Sequence, residues 1–127
     1  MKWLVIALIV VFVALGSMVP ITGYMISKGL DNPSKPWAPG LTQKGVRIRM
    51  IFGNYDSAAR IWQQAATTWP NHPDCPVMVY RVAFCLEKAK QPEQAAVWYG
   101  KYLAAYPKHP WADQARRRLQ NLQGGEG

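Results

Sequence analysis

The hydrophobic positions of this chain form a continuous apolar run at the N-terminus and a periodic pattern in the rest. Residues 3–26 contain no charged side chain. Because about 20 apolar residues suffice to cross a bilayer, this run predicts a transmembrane anchor over residues 1–27. Residues 28–40 contain three prolines and two glycines, which predicts an extended linker between the anchor and a folded domain.

The periodic part of the sequence predicts helices only. Four segments carry apolar residues at the i, i+3, i+4, i+7 spacing of an amphipathic helix: 54–69, 76–89, 92–106 and 110–122. Proline opens three of these segments, where a missing backbone N–H is tolerated, and proline follows two of them. A weaker helical pattern covers 41–52, and no segment shows the apolar–polar alternation of a strand. The chain is therefore predicted to be all-α, with a helical domain over 41–123 and a flexible tail over 124–127.

Two stretches of the chain are similar to each other at an offset of 37 residues. Residues 53–73 read GNYDSAARIWQQAATTWPNHP, and residues 90–110 read KQPEQAAVWYGKYLAAYPKHP. Identical or aromatic residues align at Ala58/Ala95, Ala59/Ala96, Trp62/Tyr99, Trp69/Tyr106, Pro70/Pro107, His72/His109 and Pro73/Pro110. A period of this size is typical of short helical repeats, which mostly bind partners. The small residues Ala58 and Ala95 would let two antiparallel helices cross closely.

The aligned residues resemble the second helix of a tetratricopeptide repeat. That helix carries, in order, a turn residue, an aromatic, a small residue, an aromatic, a second small residue and a closing proline. The first copy matches at Gly53, Tyr55, Ala58, Trp62, Ala65 and Pro70. The second copy matches at Ala95, Tyr99 and Pro107, and departs at Lys90, Pro92 and Tyr102. The resemblance covers about residues 53–122 and implies a short solenoid of helical hairpins, with about two repeats and a capping helix.

The function that this resemblance implies is protein binding. In the family, a partner usually lies in a concave groove lined by the first helices of the repeats. The corresponding positions here that we expect to bind a partner are Arg47, Val77, Tyr80, Phe84, Lys88, Trp111 and Arg118. Aromatic residues and arginine are enriched at protein interfaces, which agrees with this expectation. The alternative, that Tyr80, Phe84 and Trp111 only cover the core of a small domain, stays open.

An alternative interpretation of the apolar run is a signal peptide that is cleaved from the mature protein. Ala14 and Gly16 would form a signal-peptidase site, after which a secreted, soluble domain would begin at Ser17. The apolar run continues well beyond that point, and a retained single-pass anchor is therefore the expectation. The mass of the mature protein would distinguish a retained anchor from a cleaved signal peptide.

The basic residues around the apolar run bear on lipid contact and on orientation. Lys2 precedes the run, and Lys28 and Lys35 follow it, so the positive-inside rule gives no decision. The repeat endings TTWPNHPD and AAYPKHPWADQA resemble bacterial envelope versions of the repeat, which implies the bacterial inner membrane and favours a periplasmic domain. Membrane lipid is expected to contact residues 3–26 together with Lys28 and Lys35.

The net charge of +8 raises the question of whether the protein binds nucleic acid. Part of this charge follows the apolar run, where basic residues meet anionic head groups. Arg116, Arg117 and Arg118 are consecutive, so on a helix they would fan around the axis instead of forming one stripe. Nucleic acid is therefore not a favoured partner.

Candidate chemistry is sparse. The sequence has no haem, zinc-protease, dinucleotide or serine-hydrolase motif, so neither enzyme activity nor a cofactor is expected. His72 and His109 occupy the same repeat position, which favours a turn role. An alternative is a small metal- or redox-linked component that uses His72, Cys75 and Cys85. On one helix these two cysteines would lie about 15 Å apart, too far for a disulfide.

Taken together, the sequence predicts a membrane-anchored protein-binding module. Its role would be that of a scaffold, an assembly factor or an accessory subunit of a membrane protein complex.

Overall fold

The computed structural model describes residues 1–124, apart from the side chains of residues 17–19. This part of the chain contains six α-helices and no strand: α1 (Lys2–Asp31), α2 (Ala38–Ile51), α3 (Tyr55–Thr68), α4 (Cys75–Lys88), α5 (Pro92–Ala105) and α6 (Ala112–Gly124). The prediction of an all-α chain is confirmed for the residues that the structure describes. Gly124, the first residue of the predicted tail, ends α6, and the rest of that tail lies outside the described residues.

Helix α1 has two parts with different surroundings. It is long and apolar enough to cross a membrane, and the most apolar part of it is not buried in the described structure. Its large apolar side chains from Trp3 to Leu15 are exposed. From Thr22 onward, one face of the helix is buried against α2. The C-terminal part of α1 is therefore a structural element of the helical domain.

The predicted extended linker is much shorter in the structure. Lys28–Asp31 continue α1, and Ala38–Gly40 form the first turn of α2, so only residues 32–37 connect the two helices. The proline content misled the prediction because Pro39 occupies the first turn of α2, where an absent N–H leaves no bond unmade. Asn32 ends α1 by donating its side-chain N–H to the Lys28 carbonyl, at 2.9 Å.

Glycines let α1 and α2 approach closely in antiparallel orientation. A Cβ atom on Gly29 would overlap the Thr42 side chain and lie 2.8 Å from the Ala38 carbonyl oxygen. A Cβ atom on Gly45 would lie 2.9 Å from Ile26. These two glycines are thus required for close packing of the helices, and Gly29 is not a linker residue.

Each helix packs against the next one along the chain. The largest fully buried side chains of the core include Trp62, Tyr99, Tyr102 and Met78. Ala58 and Ala95, the small residues of the two repeat copies, are also fully buried. Their burial agrees with the expectation that small residues let neighbouring helices approach.

The repeat copies build the same local structure. Gly53 and Lys90, which align at the offset of 37, both have a positive φ, of 76° and 63° respectively. In the loop after α3, His72 Nδ1 accepts the Asp74 N–H at 3.0 Å; in the loop after α5, His109 Nδ1 accepts the Trp111 N–H at 3.3 Å. The turn role predicted for the histidines is present in both copies.

Candidate functional site

A groove forms where α2, α4 and the start of α6 meet, and its volume is about 200 Å³. It is lined by Met50, Tyr80, Arg81, Phe84, Trp111 and Gln114. Helix α4 supplies three of these residues because positions 80, 81 and 84 lie on one face of a helix. We call this surface the α4 groove.

Tyr80 forms the floor of the α4 groove and is fixed by aromatic contacts on several sides. Its ring packs edge-to-face against Trp111, with centroids 5.0 Å apart, and against Tyr102 and Tyr99 at 5.5 and 5.7 Å. The side chain is only 5% exposed, and its hydroxyl makes no hydrogen bond of ordinary geometry among the described residues, although the Arg118 guanidinium lies close enough to interact with it. Burial raises the pKa of this hydroxyl, so it stays a neutral donor. A buried donor without an acceptor costs stability, and this hydroxyl lies too deep in the domain for direct contact with solvent.

Arg81 makes the α4 groove basic. Its guanidinium carbon lies 5.0 Å from the Trp62 ring centroid and 6.0 Å from that of Trp111. No ion pair in the described part of the chain involves Arg81. Burial, followed by repulsion from Arg47, lowers the pKa of Arg81. An anionic group placed in the groove would relieve this unfavourable environment of the guanidinium.

Glu87 connects α4 to α5 and α6 at the end of the groove. Its Oε1 accepts the Tyr99 hydroxyl at 3.0 Å, and its Oε2 accepts an N–H of Arg118 at 2.9 Å. Both carboxylate oxygens are therefore engaged inside the domain. The Nε of Arg118 is buried without a hydrogen bond of ordinary geometry, but the guanidinium interacts with the Tyr80 hydroxyl and lies 5.0 Å from the Phe84 ring centroid.

A second depression, of about 480 Å³, continues from the α4 groove along α6. It is lined by Glu87, Gln114, Arg117, Arg118, Asn121 and Leu122. Gln114 belongs to both depressions, so together they form one elongated surface along α6. Its charged groups are predominantly arginines.

Most of the residues predicted to bind a partner converge on this surface. Tyr80, Phe84, Trp111 and Arg118 line it, and the Lys88 ammonium lies 5.5 Å from the Phe84 ring centroid at its edge. The structure does not bring the other two predicted residues into these depressions. Arg47 is exposed on α2, and Val77 is half-buried near the start of α4.

Sequence reasoning missed Met50 and Arg81 as lining residues. Arg81 directly follows Tyr80 and precedes Phe84 by three residues, so its helical position could have indicated it. Met50 gave no such signal, because its position depends on a contact between two helices, in which its Sδ accepts the indole N–H of Trp62 at 3.2 Å.

The residues of the predicted alternative, a metal or redox site, have separate environments. Cys75 and Cys85 are buried, free thiols at opposite ends of α4, as the distance argument predicted. Burial raises the pKa of Cys85 to about 12, so this thiol stays protonated at neutral pH. The described residues contain no group of three or more potential metal ligands. No observation in this region favours metal or thiolate chemistry.

Lys28 lies in an aromatic environment near the end of α1. Its ammonium is 5.4 Å from the Tyr24 ring centroid and 5.6 Å from that of Trp37. A shallow depression lies beside it, lined by Lys28, Trp37, Gly40, Leu41 and Lys44. Lys35 is exposed in the connection between α1 and α2.

Comparison with known proteins adds no assignment. No protein-family model matches the chain, and neither curated proteins nor solved structures give a significant match.

Proposed function

We propose that this protein is a membrane-anchored, tetratricopeptide-like binding module that receives an acidic peptide segment of a protein partner in the α4 groove. It would act as a scaffold, an assembly factor or an accessory subunit of a membrane complex. The observation that carries the proposal is the composition of the groove, where the half-buried Arg81 makes no ion pair in the described chain and lies beside the half-buried rings of Phe84 and Trp111.

The chemistry of the partner segment follows from the charges around the groove. Arg81 makes no ion pair within the described chain, where the Asp74 carboxylate acts on it only from beyond ion-pair distance. Glu87 is already engaged by Arg118 and Tyr99. A carboxylate on the partner would pair with the half-buried guanidinium of Arg81. Aromatic or aliphatic side chains next to it would pack on Phe84 and Trp111, since such anchors dominate binding energy.

The anchoring part of the proposal is supported by α1. Its exposed apolar surface is continuous from Trp3 to Leu15, and bilayer lipid is the environment that would remove this surface from water. We place the protein in a bacterial inner membrane with a periplasmic domain, following the resemblance of its repeat endings. Lys28 and Lys35 would meet lipid head groups. Intact mass of the membrane fraction tests retention, because cleavage would leave Ser17 as the first residue.

The test of binding compares groove variants with variants elsewhere on the surface. Full-length protein is purified from membranes in mild detergent, and co-purifying proteins are quantified by mass spectrometry. Phe84→Ala and Arg81→Gln remove a groove anchor and a groove charge. Val97→Ala and Arg60→Gln are the matched controls, because both residues are exposed and lie outside the groove. Circular dichroism confirms that all four variants remain helical.

We expect both groove variants to lose the same partner, whereas both controls retain it. Truncating a buried aromatic anchor costs roughly 2 kcal/mol or more, which is about a thirtyfold loss of affinity. A synthetic peptide of the partner's acidic segment should then bind wild-type protein in a salt-sensitive manner. Equal recovery from folded groove variants and from controls would refute the groove as the binding site.

A further inference from the structure

The turn between α2 and α3 exposes two large apolar side chains. Ile51 is 79% exposed and Phe52 is 54% exposed, and neither lines the α4 groove. Gly53 supplies the positive φ that reverses the chain here. We call Ile51 and Phe52 the turn pair.

The antiparallel packing of α1 and α2 determines where the turn pair lies relative to the apolar run. Gly29 packs against the start of α2, whereas Gly45 packs against Ile26, so α2 runs back along α1 toward its N-terminus. Near the end of α2, Arg49 Nε donates to Thr22 Oγ1 at 3.2 Å. Phe52 is three residues further on, about 4.5 Å beyond Arg49 at the helical rise. The turn pair is therefore level with the part of α1 that precedes Thr22.

The same part of α1 is where a membrane span would end. A hydrocarbon core of about 30 Å takes about 20 helical residues, and a span that starts at Trp3 therefore ends near Thr22. Beyond this level, α1 exposes Tyr24, a residue type common at the membrane–water interface, and then Lys28, its first charged residue after the apolar run.

From this register we propose that Ile51 and Phe52 insert into the lipid at the interface and form a second membrane contact of the domain. The inference rests on the proposed membrane span, because the span supplies the reference level. The turn also fits a shallow insertion, in which apolar side chains reach the boundary between head groups and acyl chains.

The charged groups around the turn agree with this position. Arg49 is engaged by Thr22 and by Ser57, at 3.2 and 2.7 Å. The nearest carboxylate along the chain, that of Asp56, pairs with Arg60 at 3.8 Å and accepts an N–H of Gln91 at 3.1 Å. No unpaired carboxylate of the turn would therefore be carried toward anionic lipid.

The experiment measures the depth of a nitroxide label in full-length protein reconstituted into phosphatidylglycerol–phosphatidylcholine nanodiscs. A Cys75→Ala/Cys85→Ala background removes the native thiols, and Phe52→Cys places the label on the turn. Leu8→Cys places it within the span, and Val97→Cys on an exposed apolar position of α5. Collision rates with oxygen, which concentrates in lipid, are compared with those of a water-soluble nickel chelate.

We expect the label at residue 52 to favour oxygen over the chelate, as at residue 8, with the ratio reversed at residue 97. If residue 52 behaves like residue 97 while residue 8 favours oxygen, the span stands and the turn insertion is overturned. If residue 8 also favours the chelate, span and insertion are both overturned. Should the residue 52 variant lose helicity, the same measurement at Ile51→Cys decides between these outcomes.

Discussion

Replacing Gly29 by alanine tests the junction between the apolar helix and the domain. The added Cβ would overlap Thr42 Oγ1 and lie 2.8 Å from the Ala38 carbonyl oxygen. Thr42 can rotate its side chain away, but the Ala38 carbonyl is backbone and moves only with its helix. To restore ordinary contact at about 3.4 Å, α2 must retreat from α1 by about 0.6 Å.

The cost follows from the rigidity of this contact. Overpacking typically costs roughly 1–3 kcal/mol, and a backbone overlap belongs at the upper end of that range. Alanine recovers about 1 kcal/mol through its better helix propensity. We therefore expect Gly29→Ala to lower the free energy of unfolding by about 2 kcal/mol.

The assay is denaturant unfolding of full-length protein in detergent micelles, followed by circular dichroism and tryptophan fluorescence. Gly100→Ala is the matched control, since a Cβ atom there meets nothing within 4 Å and the substitution should stabilise α5. Gly45→Ala should fall between the two, because its nearest contact is the side-chain atom Ile26 Cγ1. If Gly29→Ala unfolds at the same denaturant concentration as Gly100→Ala, the close approach of α1 and α2 is wrong.

Three further predictions concern the domain itself. Ala58→Leu and Ala95→Leu should each lower the free energy of unfolding by roughly 1–3 kcal/mol, because both alanines are fully buried; unchanged denaturation midpoints would contradict the helix packing. The pKa of Cys85 is raised from 9.0 to about 12 in the folded protein, so the unfolded chain loses this proton first and stability should fall as pH rises above 9. Melting temperatures measured upward from pH 7 check this, and Cys85→Ala should weaken the decline. Glu87→Gln should cost about 1–2 kcal/mol because it removes the charge-assisted bond to Arg118; chemical denaturation reports the loss, and an unaltered midpoint would show that the pair is not stabilising.

The helices of the domain could be predicted because their signals are local. Proline at the start of α5 and after α3 fixes helix ends within the sequence itself, and apolar spacing gives the buried face. The connection between α1 and α2 could not be read in this way. Gly29 looks like a linker glycine until Thr42 and Ala38 are placed against it, and that contact depends on the packing of a second helix.

The groove was predictable only in part, for the same physical reason. Tyr80, Phe84 and Trp111 stand out by residue type, and helical spacing brings the first two to one face. That the Tyr80 hydroxyl lacks an acceptor, and that both oxygens of Glu87 are occupied, depends on side chains from three helices. Sequence periodicity contains no information about such pairing.

Under the proposed anchoring and binding, the direct passage of α1 into the domain restricts how the protein can search for a partner. A flexible linker of the length predicted for residues 28–40 would have an end-to-end distance of about 20 Å, and the domain would explore a wide zone above the membrane. With α1 packed on α2, the groove would instead be held at one fixed height above the membrane and in one rotational orientation about the axis of α1. A neighbour in the same membrane whose acidic segment emerges at that height would experience a high effective concentration of the groove. Segments at other heights would be excluded by geometry, so selectivity would arise from position as well as from contact chemistry.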